Sequence, residues 1–188
     1  MSSRREYLRA AFALPFVAGT AGCLATLPGV EEAVVSYKAI EVRWLDGDGR
    51  GHVATLCWLW SDGDGRVFGW KPLEYPDIVR SATDVRVAEE TGRLLQDRFD
   101  GVEFVVGFSS PNAADRSLLE NDRGQVRISR RTFDRLQLGD RATLSSGGSG
   151  LRILSIEEGP RKLPDDWRVE VRPKDLREQF PDLDVPEP

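Results

Sequence analysis

A seven-residue pattern that occurs twice constrains this chain more than anything else in it. Trp44-Leu45-Asp46-Gly47-Asp48-Gly49-Arg50 is matched sixteen residues later by Trp60-Ser61-Asp62-Gly63-Asp64-Gly65-Arg66. Asp and Gly tolerate the positive φ and supply the local hydrogen bonds that tight hairpin turns need. Ahead of the first copy, Ile40, Val42 and Trp44 alternate with Glu41 and Arg43, the period of two that marks a strand with one buried face. Two turns of one chemistry predict a three-stranded meander over residues 34 to 45, 52 to 60 and 66 to 70, with successive turns at opposite ends of the sheet. Two copies do not make a solenoid.

The same turns invite a calcium reading, since Asp46 and Asp48, like Asp62 and Asp64, bring carboxylates close together. The detailed pattern fails: Arg50 and Arg66 stand at the third ligand position, and Cys57 and Leu73 replace the closing glutamate. Hairpin turns are the expectation, with weak surface binding of a divalent ion the most they support.

The middle strand, His52 to Trp60, is apolar at both alternating sets, as for a strand buried on two faces. Its Cys57 reads as an inert buried thiol, because only His52 lies near enough in sequence to lower its pKa. Trp44, Trp58, Trp60 and Trp70, with Phe68, fall within 27 residues. Large rings dominate small cores, so packing is the expectation; a flat platform for sugars or other ring-bearing ligands, carried by Trp58, Trp60 and Trp70, is the alternative.

Beyond Lys71 to Pro76, Val87, Ala88, Thr91, Leu94, Leu95 and Phe99 recur at helical spacing and predict one covering helix over Thr83 to Asp100, with Ser81 and Asp84 spaced as a capping box. Glu89 and Glu90 are adjacent, so their side chains diverge and read as solvated. Val102, Phe104, Val106 and Phe108 form the clearest alternating strand, and Ala113 to Glu120 reads as a short helix. From 123 to 157 the order strand, helical turn, Gly139-Asp140, strand, hairpin resembles small barrels of the SH3 and OB kind. Ser145 to Gly150 lacks the ending of a phosphate loop and reads as a hairpin loop. Arg127, Arg130, Arg131, Arg135 and Arg141 form the one local basic cluster, diluted by Asp134 and Asp140; it reads as a mixed surface, with lipid headgroups or an anionic ligand as the alternative. Trp167 to Val171 closes the strands, followed by a short helix to Phe180. The fold class is therefore α+β: a mainly antiparallel sheet, made of the meander and a small-barrel-like C-terminal half, with one covering helix.

Composition removes several chemistries. With 40% hydrophobic and 30% charged residues the 188-residue chain can bury a core, and one domain is the default. A net charge of −5 argues against a duplex-binding surface, so nucleic acid is not an expected partner. One histidine and two cysteines exclude a multi-histidine or four-cysteine zinc site, and any Ser/His/Asp triad would have only His52. No metal site, catalytic residue or cofactor is expected.

The first 23 residues carry an address. Met1 to Arg9 is short and basic, Ala10 to Gly19 is mostly apolar, and Thr20-Ala21-Gly22-Cys23 ends in small residues, the tripartite layout of an export signal. The apolar stretch is about half the ~20 residues a membrane span requires. Ser3-Arg4-Arg5-Glu6-Tyr7-Leu8-Arg9 resembles the twin-arginine export motif, and Cys23 stands where a lipobox cysteine would. With 22 Arg against 4 Lys and an acidic balance, the chain resembles the twin-arginine-exported lipoproteins of salt-loving archaea. That resemblance implies removal of 1–22, a lipid on Cys23, a linker over 23–33, a single domain over 34–180 and an acidic disordered tail over 181–188. It also implies passage of a folded domain through the twin-arginine machinery. Losing three arginines and one glutamate takes the net charge to −7. One lipid chain anchors weakly, so stable attachment implies a two-chain lipid. The expected product is a lipid-anchored protein on the outer face of the cell membrane with a non-catalytic binding or interaction role. The alternatives are an extracytoplasmic hydrolase built from dispersed Asp and Ser residues with His52, and a structural envelope component. A pocket holding His52, a carboxylate and a serine favours the hydrolase; an exposed tryptophan stripe without that trio favours binding.

Overall fold

The computed structural model describes residues 30–111, 124–147 and 150–179. The export motif, Cys23, the helix expected over Ala113 to Glu120, the centre of the Ser145 to Gly150 loop and the tail lie outside the described residues.

The meander forms as its turns dictate: β1 (Val30–Leu45), β2 (Gly51–Ser61) and β3 (Arg66–Pro72) are joined by the two Asp-Gly-Asp-Gly-Arg turns. In each turn the first aspartate acts as a clamp. Asp46 Oδ1 accepts from the N–H of Asp48 (3.0 Å) and of Arg50 (2.8 Å). Asp62 Oδ1 does the same for Asp64 (2.9 Å) and Arg66 (3.0 Å). These side-chain bonds mimic a backbone turn, and they account for the recurrence of the motif at two hairpins.

A 3-10 turn (Pro76–Ile78) leads into a two-stranded ribbon, β4 (Val79–Ser81) and β5 (Asp84–Val85), then helix α1 (Glu89–Arg98) and strand β6 (Gly101–Ser109). The order continues with β7 (Gln125–Ile128), α2 (Arg130–Arg135), β8 (Arg141–Gly147), β9 (Gly150–Glu157), β10 (Arg168–Lys174) and α3 (Leu176–Gln179). The main sheet runs β10-β3-β2-β1-β6-β7, antiparallel except for the β10–β3 pair, and the β8–β9 hairpin pairs with the start of β1. This is an α+β fold with a mainly antiparallel sheet. The stretch from 123 to 157 has the expected element order; its outer strands β7 and β9 pair with β6 and β8 respectively, and all belong to the one sheet.

Strand β1 organises the molecule. One edge pairs first with β8 at Val30–Val34 and then with β2 from Tyr37 onward. Between them, Val35 exchanges backbone bonds with Gly139 and Asp140. A bulge at Val35/Tyr37 bends β1 where the partners change, and a second irregularity, at Ile40/Glu41, places its extra residue, Leu56, on β2. Behind it lies the core, with Ile40, Val42, Leu56, Leu59, Leu95, Phe104, Val106, Phe108, Phe133 and Leu136 among its buried members.

Two expectations are corrected here. The covering helix begins at Glu89, not Thr83, and its N-cap Ala88 makes no side-chain cap bond. Ser81 and Asp84 instead face one another across the β4–β5 ribbon. The reason is that Val85, on strand β5, and Val87, in the segment ahead of the helix, reach the core before the helix begins, and a strand suits a β-branched side chain better than a helical turn. Gly92, unfavourable inside a helix, is explained by packing: a Cβ there would lie 3.1 Å from the Arg130 side chain.

Strand β2 is buried on one face rather than two. The second bulge leaves Leu56 without a partner, so Leu56 and Cys57 both turn toward the core and the apparent double-sided apolarity arises. Cys57 is wholly buried and unpaired, and burial pushes its thiol up to about 12, the character of an inert group.

Candidate functional site

The opposite face of the sheet carries the aromatic residues. Packing within the core was the expectation for them, and the bulge overturns it. Shifting the parity of β2 after Leu56 sends Cys57 and Leu59 inward and Trp58 and Trp60 outward. Cross-strand pairing then sets Trp58 against Trp70 and Trp60 against Phe68 on β3, while Tyr37 on β1 faces Trp60. Each of these five rings is partly exposed, and none belongs to the core cluster. Three of their contacts are edge to face, Trp58–Trp70 at 4.9 Å and 75°, Trp58–Phe68 at 5.8 Å and 86° and Trp60–Phe68 at 4.4 Å and 73°, and Tyr37–Trp58 is tilted, at 6.3 Å and 31°. Such pairs add about 0.5–1.5 kcal/mol each beyond area burial. They also set these neighbouring rings across one another rather than in one plane. Lys174 on β10 sits 4.0 Å from the Trp70 ring centroid, a cation over its face.

Beside the rings on the same face lies a charged patch. Arg43 pairs with Glu103 at 2.5 Å, and Arg127 bonds the other oxygen of Glu103 and approaches Glu41. Arg127, expected in a basic cluster, is therefore neutralised on this face. Trp44 is on the other side: it stacks on His52 at 5.2 Å and meets Phe99 edge-on, against the core.

At the far end of β1, a cleft of about 1000 Å³ opens between the first Asp-Gly turn and α1, lined by Trp44, Asp46, Asp48, Leu94, Asp97 and Asp100 among others. His52 Nε2 lies 2.9 Å from Asp46 Oδ2, and this hydrogen bond holds the Asp46 carboxyl below its ordinary range. The imidazole thus has a carboxylate partner, but no serine, threonine or cysteine is among the described residues lining the cleft. Of the Asp, Ser and His52 trio, this cleft therefore presents the carboxylate without a hydroxyl among its described lining residues. Nor do the candidate ion ligands converge: Asp46 and Asp62 spend Oδ1 on backbone, and the two turns lie at opposite ends of β2. No group of three or more His, Cys, Asp or Glu suited to a metal is present among the described residues.

One residue escaped the sequence reading altogether. Lys38, on β1, is completely buried. Its Nζ donates to the carbonyl oxygens of Val85 (2.7 Å), Phe133 (2.7 Å) and Leu136, lies 3.4 Å from Gln137 Oε1, and sits 4.0 Å from the Phe133 ring centroid. Burial pulls its pKa down to about 7, against the opposing pull of Asp134, Cys57 and Asp140. Carbonyls in the last turn of α2 and at its C-cap have no helical partner, and the lysine supplies one from inside the core. A buried amine of lowered pKa is also a catalytic possibility. Here its donors are committed to carbonyls, so the geometry describes a clamp joining β1, β5 and α2. The signal existed: continuing the alternation Trp44, Val42, Ile40 back by two residues lands on Lys38.

The remaining cluster arginines separate. Arg141 starts β8 opposite Glu157, whereas Arg130, Arg131 and Arg135 gather on α2 beside Arg86 and Arg161. No helix among the described residues is long and apolar enough to cross a membrane. Comparison with protein-family models, curated proteins and solved structures finds no match.

Proposed function

We propose that this chain is a lipid-anchored binding protein on the outer face of the cell membrane, and that its outer aromatic face receives a protein partner. The observation that carries the reading is the set of five rings, Tyr37, Trp58, Trp60, Phe68 and Trp70, held outside the core and partly in solvent. Contiguous exposed apolar surface mostly marks interaction sites, and Trp, Tyr and Arg dominate the energetics of protein interfaces. Edge-to-face rings leave grooves that suit interdigitating side chains better than a flat sugar ring. The neighbouring Arg43, Glu103 and Arg127 would form a polar rim.

The export-like N-terminus supports the location. Cys23 precedes Val30 by seven residues, a reach of at most about 25 Å, so a lipid on that sulfur would keep the start of β1 close to the bilayer. The reading needs no catalytic residue and no cofactor.

The test replaces Trp60 with a photo-crosslinking amino acid in intact cells, with Leu94 on α1 as the control position. One envelope protein captured from position 60 and absent from position 94 is the expected result. No adduct, or identical adducts from both positions, overturns the interface. Location is tested separately: Cys23→Ser should release the protein from membranes, and Arg4→Lys with Arg5→Lys should retain it inside the cell. Unchanged fractionation of both variants overturns the anchoring.

A further inference from the structure

A second cleft, of about 460 Å³, lies on the core side of the sheet, where α2 meets the segment after β9. Five arginines line it, Arg86, Arg130, Arg131, Arg135 and Arg161, against two carboxylates, Asp134 and Glu158. In a chain of net charge −5 this reverses the overall sign.

Two of the arginines are held in place. Arg161 Nη1 donates to Asp140 Oδ1 at 2.6 Å, and that carboxylate is wholly buried. Asp140 is fixed in turn by the N–H of Gly159 (2.8 Å) and of Gln137 (2.7 Å). Arg130 Nη1 donates to Val87 O at 3.0 Å, and its stem lies over Gly92, where a side chain would crowd it. One of the two carboxylates is already engaged, since Asp134 Oδ1 accepts from Val87 N–H at 2.8 Å. Glu158 reaches Arg161 only at 3.5 Å, and Arg86 pairs with Asp84 at 2.7 Å.

Arg131 and Arg135 are exposed and stand one helical turn apart, an i,i+4 pair of like charge that works against the helix. The fold thus gathers guanidinium groups, orients two of them through buried partners, and leaves two more facing solvent. Guanidinium forks match phosphate oxygens in geometry as well as charge. The volume exceeds a single phosphate and falls within the range of small-molecule sites.

We propose that this cleft binds a multiply charged, phosphate-bearing ligand, with Arg130 and Arg161 as fixed donors and Arg131 and Arg135 closing on it. The site is separate from the aromatic face and does not depend on the protein partner proposed there.

The test measures binding of pyrophosphate to the full chain by calorimetry at low ionic strength. A parallel assay follows sedimentation with vesicles of phosphatidylglycerol and phosphatidylcholine, against phosphatidylcholine alone. The variant is Arg131→Gln with Arg135→Gln, two exposed side chains whose loss leaves the core intact; Arg93→Gln on α1 is the control. Pyrophosphate binding that weakens at least tenfold in the double variant and is unchanged in the control supports a soluble ligand. Equivalent loss of phosphatidylglycerol binding, without pyrophosphate binding, supports the site and assigns the phosphate to a lipid headgroup. Absence of both, full retention in the double variant of every interaction the parent shows, or reproduction of the effect by sodium chloride at equal ionic strength overturns the proposal.

Discussion

The two faces of β1 exchange what the ordinary rule would assign to them. On the inner face a lysine sits among Ile40, Val42 and Phe133, whereas on the outer face Tyr37 joins four large rings that helices α1 and α2, packed on the inner side, do not cover. The contrast teaches that burial here follows partners rather than hydropathy. Lys38 is tolerated inside because carbonyl oxygens take its donors, while Trp58 and Trp60 lie outside because a one-residue bulge reverses their side of the sheet.

Removing the lysine is the strongest way to break that comparison. Lys38→Met keeps the length and apolar stem but leaves the Phe133 and Leu136 carbonyls without their donor; Val85 O retains the Gln137 amide at 3.2 Å. Each buried orphan costs about 1–3 kcal/mol, so a loss of about 3 kcal/mol is expected in urea denaturation at pH 7. A variant as stable as the parent would show the clamp to be dispensable.

The same residue predicts an unusual pH dependence. Its ordinary value is 10.5 and its folded value is about 7, so between these limits the unfolded chain binds the proton and the folded chain does not. Stability should therefore rise with pH above 7, by at most about 1.4 kcal/mol per unit. Above pH 9 Cys57 opposes this, and above pH 10 Tyr37 joins it: burial raises both to about 12, so each deprotonates first in the unfolded chain. The clean window is pH 7 to 9, and the upward slope there should vanish in Lys38→Met.

The outer face makes a smaller contribution. Trp60→Ala removes one edge-to-face contact, with Phe68, from a partly exposed ring. A loss of about 1 kcal/mol is expected, together with loss of partner capture. A loss of 3 kcal/mol or more would mean that these rings behave as core.

How much of this was legible beforehand differs element by element. The meander was legible because Asp46 and Asp62 make their turns by local bonds, which depend only on nearby residues. The covering helix was legible in kind but not at its start, because Val85 and Val87 match helical spacing while their backbone is drawn into bonds with Gln137 and Asp134, distant in sequence. The tryptophans could be named but not placed. Alternation assigns sides only while the register is unbroken, and a bulge leaves no reliable mark in composition. Lys38 and the arginine cleft depend on contacts spanning from about 20 to nearly 100 residues, beyond the reach of any local pattern.

The finest distinction concerns the two matching turns themselves. Both first aspartates clamp the same two N–H groups, yet the backbone path differs. Gly63 has φ +77°, whereas Gly47, at the equivalent position, lies outside the left-handed region; no neighbour lies within 4 Å of a Cβ at either site. Space therefore does not discriminate between them, and backbone conformation does. Gly63→Ala should cost about 1 kcal/mol, while Gly47→Ala should be neutral or stabilising by up to about 1 kcal/mol through a less flexible unfolded chain. Thermal denaturation of the two variants side by side checks this. Equal losses at both sites would mean that the repeated sequence also imposes one repeated backbone, and that the clamping aspartate rather than the strand context sets the path of each turn.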